Sequence, residues 1–176
     1  TAASLRLVDT VWPDQCNHHG TLFGGAALAM LDRIAFILGS KALRGSVVTA
    51  AVSRLDFQAP APAGHLVECT ARVEQRGRRS VTLATALWAE DMLTGARTAC
   101  LSGDFVMVRQ AADAALPEPA APAAAPSADD AEPAGQAMVA EIVFPGHANH
   151  RGVLHGGPAM AWLAKAGFVA ATRAVR

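Results

Sequence analysis

Residues 17–32 have the sequence Asn-His-His-Gly-Thr-Leu-Phe-Gly-Gly-Ala-Ala-Leu-Ala-Met-Leu-Asp. A polar loop leads to two glycines and then to good helix formers, which continue to about Leu43. Asp32 is the one acidic residue of this helix, and its helical neighbours Leu28 and Phe36 are apolar. The pattern therefore predicts a long helix that carries a single carboxylate on its apolar face.

A carboxylate in apolar surroundings needs an explanation. Its desolvation costs several kcal/mol or raises its pKa by a few units. One interpretation of Asp32 is a structural acid held by an Arg or an amide from elsewhere in the chain. The other interpretation is a group kept for a partner or a reaction.

The two glycines favour the second interpretation. Gly24 and Gly25 precede the helix, which we predict to begin at Ala26, so a ligand can approach their backbone closely. The first N–H groups of a helix have no partner inside the helix and can bind an oxyanion. Together with Asp32, about two turns later, the glycines predict hydrogen-bond donors and a base on one scaffold.

The overall charge points to no polyanionic partner. Lys plus Arg and Asp plus Glu each number 15, so we expect binding neither to nucleic acid nor to a membrane. Asp32, Arg33 and Lys41 interrupt the longest apolar run, which argues against a transmembrane helix. No secretory signal region opens the chain, and three widely spaced cysteines indicate no disulfide framework. We expect a cytoplasmic protein.

Strand-like segments surround the helix in sequence. They alternate in polarity or are rich in β-branched residues, and turn-like Pro, Gly and Asp clusters separate them. One long helix with these segments predicts an α+β fold, in which one curved antiparallel sheet wraps the central helix. The predicted strands are 4–12, 46–57, 65–75, 80–90 and 96–109.

The opening of the chain is repeated near its end. Residues 17–25 return at 149–157 as Asn-His-Arg-Gly-Val-Leu-His-Gly-Gly, followed by a second apolar helix in constant register. In this alignment Asp32 corresponds to Ala164. The second copy therefore keeps the loop, the Asn and the glycines but has lost the carboxylate.

Composition divides the chain into three parts. We predict a first unit at 1–109, an Ala/Pro-rich extended linker at 110–137 and the start of a second unit at 138–176. The second unit stops just after its helix, without strands to cover it. A bare apolar helix would promote aggregation, so we expect either a longer two-unit protein or packing of this helix on another chain.

Several short motifs form a combined pattern. They are Asn17-x-x-Gly20-x-x-Phe23-Gly24-Gly25, Asp32, Val47-Val48-Thr49, Phe57-x-x-Pro60, Gly64 and Arg76-Gly77-Arg78-Arg79-Ser80-Val81. This pattern resembles the hotdog-fold acyl-CoA thioesterases of the cytosolic acyl-CoA hydrolase type. The one departure inside the pattern is His65, because the family usually has Asp after the glycine of that turn.

The resemblance implies a hotdog fold, pairing of two units into a double hotdog, and further homo-oligomerisation. It also implies hydrolysis of fatty acyl-CoA to a fatty acid and CoA. By position, Asp32 would be the general base or nucleophile. Asn149 would assist it if the two units of this chain pair, and Asn17 would do so if two first units pair. The counterpart site, Ala164 with Asn17, would be inactive.

The residues agree with this chemistry. Amides at Gly24 or Gly25 would polarise the thioester carbonyl, and loss of one such donor typically costs about 2.7–4 kcal/mol in the barrier. Thiolate is a good leaving group, so the reaction needs no obligatory His. No cofactor is expected, because CoA is part of the substrate and product. For the CoA moiety we consider an Arg-rich cluster, although a solvated turn is the alternative: Arg72, Arg76, Arg78, Arg79 and Ser80.

A histidine metal site, a binding protein and a dehydratase are the alternatives to a thioesterase. His18, His19, His150 and His155 have no Cys or carboxylate at ligand spacing, so we expect solvated loop histidines and no metal site. A non-catalytic acyl-CoA-binding or regulatory protein is the main alternative, because the second copy is degenerate. A hotdog dehydratase is a further alternative, but the sequence shows no pairing of an acid with a His in a suitable arrangement.

Overall fold

The structure is a computed structural model, and it describes residues 3–110, 141 and 143–175. The predicted linker therefore lies outside the described residues, apart from Gln110. The proposed division into a first unit, a linker and a second unit stays a prediction.

The central helix, α1, spans Gly24–Leu43. It begins two residues earlier than we predicted, so Gly24 and Gly25 form its first turn instead of preceding it. Phe23 is the N-cap residue, and its side chain caps no backbone N–H. The first amides of α1 therefore remain without a partner inside the helix. The helix ends at Leu43, and the C-cap residue Arg44 has a left-handed backbone conformation (φ 50°).

Five antiparallel strands form one sheet in the order β1-β3-β4-β5-β2. The strand boundaries agree with the predicted segments to within one or two residues. α1 packs against every strand, which confirms the predicted α+β architecture of one helix wrapped by an antiparallel sheet. The strands are β1 (Ser4–Thr10), β2 (Val47–Phe57), β3 (Leu66–Arg76), β4 (Ser80–Glu90) and β5 (Arg97–Arg109).

The core lies between α1 and the inner face of the sheet. Strict alternation in β4 buries Val81, Leu83 and Leu87 against the helix, while the intervening residues are partly exposed. Leu31 and Ile34 of α1 are completely buried among them. Burial of apolar side chains on this scale is the main driving force for the fold.

The second copy has the same local structure as the first. Its helix, α2, spans Gly156–Ala174 and packs against α1. Each copy has a short 3-10 turn before its loop, and Gly20 and Gly152 have the same left-handed φ of 72° and 73°. Neither helix of the described residues is long and apolar enough to cross a membrane.

Ring contacts between the copies are reciprocal. His18 packs on Phe168 at 5.9 Å between ring centroids, and the corresponding residues His150 and Phe36 lie 6.3 Å apart. Each loop therefore contacts the helix of the other copy. This arrangement brings the second loop to the Asp32 side of α1.

Candidate active site

Asp32 is completely buried at the contact between α1 and the second copy. The Thr49 hydroxyl donates to Asp32 Oδ1 at 2.5 Å. On the other side, His155 Nδ1 lies 2.9 Å from Asp32 Oδ2. Gly156 packs on the same carboxylate so closely that a Cβ there would lie 3.0 Å from Oδ1. The acid on the apolar face is thus enclosed by three residues from two other elements.

The sequence explains each of these positions locally. Thr49 stands near the start of β2, the strand that pairs with β5 at the edge of the sheet. His155 is the N-cap residue of α2, so its side chain lies at the end of the helix that faces α1. Glycine suits position 156, because a Cβ there would lie 3.0 and 3.2 Å from the two carboxylate oxygens, which is closer than ordinary van der Waals contact.

His155 differs from our expectation of solvated loop histidines, whereas His18, His19 and His150 are exposed. The His155 side chain is 24% exposed and contacts Asp32. Its ring also packs edge-on against Phe36, with centroids 5.4 Å apart. The prediction was wrong for His155 because α2 folds back onto α1, a contact that sequence spacing does not encode. An acid–His pair, whose absence argued against a dehydratase, is therefore present.

Metal binding has no support in the described residues. Among them no three His, Cys, Asp or Glu side chains cluster as a possible metal site. The expectation of a metal-free and cofactor-free protein stays a prediction.

The two asparagines mainly organise their own loops. The Asn149 side-chain oxygen Oδ1 accepts hydrogen bonds from the N–H groups of Arg151 and Val153, at 2.9 and 3.2 Å. Asn17 Oδ1 similarly accepts from His19 N and from Thr21 N and Oγ1. Of the two, the Asn149 loop is the one beside Asp32, since it carries His150 and His155. The structure thus places the loop of Asn149 beside Asp32, whereas the Asn149 side chain bonds to its own loop.

The predicted pairing of Gly24 or Gly25 with Asp32 requires correction. Gly24 and Asp32 are eight residues apart on one helix, which is about 12 Å along its axis. The nearest neighbour of Gly24 is Phe57, whereas Gly156 of the second copy contacts Asp32. The helix amides next to the carboxylate are therefore those of α2. Gly24 and Asn17 instead line a separate cleft of about 360 Å³.

An arginine-rich cleft of about 1010 Å³ opens on the same side of α1 as His150. The cleft lies beside the loop that carries His150 and Arg151. Four other parts of the fold border it: the end of α1, the start of β2, the β3–β4 turn and the end of β5. Arg151 donates to Gln110 at 2.8 Å there, and Arg109 donates to the Leu43 carbonyl at 3.4 Å. Its lining residues are Arg44, Gly45, Ser46, Arg78, Arg79, Arg109, Gln110, His150 and Arg151.

The predicted CoA-binding cluster is only partly placed in this cleft. Arg78 and Arg79 line it, but Arg72 pairs with Glu74 at 2.9 Å. Arg76 and Ser80 are not among the lining residues. Arg72 and Arg76 belong to β3, whereas Arg78 and Arg79 lie in the turn between β3 and β4, and this difference separates arginines that are close in sequence.

A smaller apolar cavity of about 410 Å³ lies on another side of His155. It is formed between α1 and the start of the second copy. His155 therefore borders solvent-accessible space, whereas Asp32 has no exposed surface. The lining residues are Gln15, Ala26, Ala29, Met30, Arg33, Gly146, Ala148, His155, Gly157 and Pro158.

Sequence reasoning missed several residues of this site. Thr49 was part of the quoted motif but was given no role. His155 precedes the second Gly-Gly, where the first copy has Phe23, and this difference between the copies was the available signal. No local signal pointed to Arg44, Arg109 or Arg151, because tertiary packing alone brings them together.

The comparisons with known proteins agree with this architecture. The family model described as the thioesterase superfamily matches residues 19–96. The acyl-CoA thioester hydrolase YciA of Escherichia coli is 33% identical over 86 residues, which are 49% of this chain and 65% of that protein. An uncharacterized acyl-CoA thioester hydrolase of Haemophilus influenzae is 31% identical over 49% of this chain and 56% of its own length. The chain thus spans less than two thirds of these relatives.

Solved structures give the same result. A hexameric acyl-CoA thioesterase in its apo form superposes with a TM-score of 0.59 and 33% identity, covering 60% of this chain and 68% of that one. The Staphylococcus aureus acyl-CoA hydrolase, solved with butyryl coenzyme A and coenzyme A, has a TM-score of 0.59 and 27% identity over 62% of this chain and 66% of that chain. The chain therefore belongs to the thioesterase superfamily and has the hotdog fold.

Proposed function

We propose that this protein is an acyl-CoA thioesterase, which hydrolyses acyl-CoA to a free acid and CoA. The observation that carries the proposal is the fully buried Asp32 carboxylate, held between Thr49, His155 and the start of α2. Desolvation of a carboxylate costs stability, and buried titratable groups of this kind cluster at functional sites. Its position in a thioesterase-superfamily fold indicates which reaction.

The variants of one structural neighbour support the choice of residues. The Staphylococcus aureus acyl-CoA hydrolase was solved as three Ala variants, of an Asp, an Asn and a Thr. The intervals between those three positions equal the intervals that separate Asn17, Asp32 and Thr49 in this chain. Thr49 thus joins the predicted Asp32 and Asn17 as a candidate site residue.

The chemistry requires a polarised carbonyl, an activated water and a held leaving group. The amide of Gly156 at the start of α2 is the nearest donor for the thioester oxygen, because the Gly157 N–H already donates to His155 Nδ1. Asp32 provides the negative charge on which water activation depends, with Asn149 in the adjoining loop. The CoA thiolate leaves without a strong general acid.

The arginine-rich cleft is suited to the phosphates of CoA. Five arginines line it, two of which, Arg78 and Arg79, came from the sequence prediction. Guanidinium groups bind phosphate through charge-assisted hydrogen bonds, often in pairs. His150 and Phe36 connect the cleft to His155, so a bound CoA would reach the carboxylate with its thioester end.

The counterpart site, around Ala164 and Asn17, is proposed to be inactive because it lacks an acid. Several of the structural neighbours are hexameric thioesterases. A homo-oligomer of double-hotdog units is accordingly part of the proposal. A cytoplasmic location without cofactor, nucleic-acid or membrane partners completes it.

The test is release of free CoA thiol from acyl-CoAs of increasing chain length, with Asp32→Asn measured alongside. We expect release by the wild type and a loss of about 10²–10⁴-fold in the variant. Circular dichroism and thermal unfolding would establish that the variant is folded. If neither protein releases thiol while acyl-CoA binds, the protein is an acyl-CoA-binding or regulatory hotdog protein instead.

The Asp32–His155 pair also supports a second candidate, a hydratase or dehydratase acting on enoyl thioesters. Such chemistry needs an acid and a His at one site, and this pair lies at 2.9 Å. The two functions differ in product. Hydration of an enoyl-CoA removes the conjugated double bond without releasing thiol, so absorbance and thiol assays on one enoyl-CoA sample decide between them.

A further inference from the structure

The 410 Å³ cavity between α1 and the second copy is lined neither by Asp32 nor by any residue of the arginine-rich cleft. Its volume lies within the range of roughly 300–1,000 Å³ that is typical of small-ligand sites. Met30, the largest apolar residue of the lining, is buried. Small residues from both copies leave the space open: Ala26, Ala29, Gly146, Ala148 and Gly157.

The corresponding positions in the other half of the repeat carry larger side chains. In the repeat alignment Met30 corresponds to Trp162, and His155 corresponds to Phe23. The Trp162 ring packs edge-on against His147, with ring centroids 5.3 Å apart. Aromatic rings thus stand in one half where a thioether and an imidazole line the cavity in the other. The open space therefore depends on side chains that differ between the two copies.

Two polar side chains of the lining have hydrogen-bond donors to spare. Arg33 carries several N–H donors, and in its described contacts only Nη2 is engaged, with Asp9 Oδ2 at 3.3 Å. The Gln15 side-chain oxygen accepts from the N–H of Trp12 at 3.3 Å, and its amide N–H groups have no described partner. The described lining includes no Asp or Glu. A largely apolar wall with donors and a positive charge suits an anion that has an apolar body.

Arg33 also indicates where the charge of such a ligand would lie. Its side chain is 57% exposed, so a carboxylate that pairs with it keeps part of its hydration. Full burial of the carboxylate would be costly, whereas the apolar lining can accept a hydrocarbon chain. Burial of each methylene group should tighten binding about three- to fourfold until the chain fills the space.

From these features we infer that the cavity binds a free fatty acid of short to medium length. The carboxylate pairs with Arg33 and accepts from the Gln15 amide, while the chain lies between Met30 and Pro158. The inference goes beyond the proposed function, because this binding uses neither the Asp32 carboxylate nor the arginine-rich cleft. A free acid is also the product of the proposed reaction, so the test has to separate the cavity from the candidate active site.

The first experiment is calorimetric titration of the protein with butanoate, hexanoate and octanoate. We expect the affinity of the wild type to rise about three- to fourfold with each methylene. Met30→Trp gives this position the residue of the other copy and should weaken octanoate binding about tenfold or more, because the chain loses its space. Thermal unfolding would establish that the variant is folded. Equal octanoate binding by the wild type and a folded Met30→Trp would place the acid elsewhere and overturn the inference.

Variants of exposed residues test the charge without changing the core. Arg33→Gln should weaken octanoate binding about two- to fivefold, since exposed ion pairs are weak. Asp9→Asn should strengthen it by a similar factor, because it releases Arg33 from its carboxylate partner. Lys165→Gln is the matched control: Lys165 is the counterpart of Arg33 and pairs with Glu141 in the second copy. Neutral octanamide should bind all four proteins alike. Weaker octanoate binding by Asp9→Asn, or an equal effect of Lys165→Gln, would contradict the role of Arg33.

A measurement on the wild type locates the ligand without any substitution. With ¹³C-labelled methionine methyl groups, nuclear Overhauser effects should connect the Met30 methyl group to the octanoate chain. If octanoate binds and the Met30 methyl group shows no such effect, the cavity is not its site.

Thiol release separates this inference from the proposed function. Met30→Trp should hydrolyse acyl-CoA at the wild-type rate. If it loses octanoate binding and octanoyl-CoA hydrolysis together, the cavity holds the acyl chain of the substrate, and the inference of a separate site is wrong. If the wild type binds octanoate in this cavity but releases no thiol from any acyl-CoA, the proposed function fails and the inference stands.

Discussion

Gly25 of α1 lies directly against the backbone of Ala161 in α2. A Cβ built on Gly25 would come within 2.8 Å of the Ala161 Cα atom. The contact is reciprocal, because a Cβ on Gly157 would lie 3.2 Å from the Cα atom of Ala29. Missing side chains on both helices thus allow the close approach that places His155 beside Asp32.

The substitution Gly25→Ala tests this contact. The added methyl group meets backbone that cannot rotate away, so we expect a loss of about 1–3 kcal/mol in the free energy of unfolding. Activity should also fall, because α2 carries His155. Gly167→Ala is the control: its Cβ would meet nothing within 4 Å, and alanine should stabilise the helix by up to about 1 kcal/mol. Equal unfolding midpoints for both variants in denaturant would contradict the packing argument.

Thr49→Val should weaken catalysis by removing the hydroxyl that donates to Asp32. A hydrogen bond to a charged group contributes about 1.5–3 kcal/mol, which corresponds to roughly a 10- to 100-fold loss in kcat/KM if it acts fully in the transition state. Thr85→Val is the matched control, since its buried hydroxyl donates to the Gly103 carbonyl at 2.7 Å, away from Asp32. It should lower stability without a specific loss of activity. An equal fall in kcat/KM in both variants would mean that Thr49 has no special role.

Arg79→Ala should raise the KM for acyl-CoA about tenfold with little effect on kcat, because it removes one cation from the proposed phosphate cleft. An acyl thioester of N-acetylcysteamine, which has no phosphates, should be hydrolysed equally by wild type and variant. Added salt should raise the KM for acyl-CoA in the same direction. Arg72→Ala is the control, since Arg72 pairs with Glu74. A tenfold effect with the phosphate-free thioester would show that Arg79 acts on the fold instead.

Two of the three cysteines should resist alkylation in the folded protein. Burial raises the pKa of the Cys69 thiol to about 12, and it also raises the pKa of Cys100. Because thiolate is the reactive form, both thiols should stay unmodified at pH 8, while the partly exposed Cys16 reacts. Mass spectrometry after iodoacetamide treatment would count the modified residues, with Cys16→Ser as the control. Rapid labelling of Cys69 in the native state would contradict its buried position.

Local patterns in the sequence were sufficient to predict the central helix, the strands and the buried carboxylate of Asp32. Helical periodicity placed Asp32 on a buried face, and strand-like patterns predicted the five strands. The comparison of residues 17–25 with 149–157 showed that the second copy lacks the acid. These features depend on spacing along one element, which the sequence displays directly.

The partners of Asp32 were decided by tertiary structure. Thr49 and His155 are far from it in sequence and reach it only after β2 closes the sheet and α2 packs on α1. The arginine cleft likewise combines residues from separate elements. Such contacts depend on how the elements pack against each other, and periodicity within one element contains no information about packing. The sequence thus determined that the chain has a buried acid on a hotdog helix, while the packing of α1 against α2 determined that a histidine meets it.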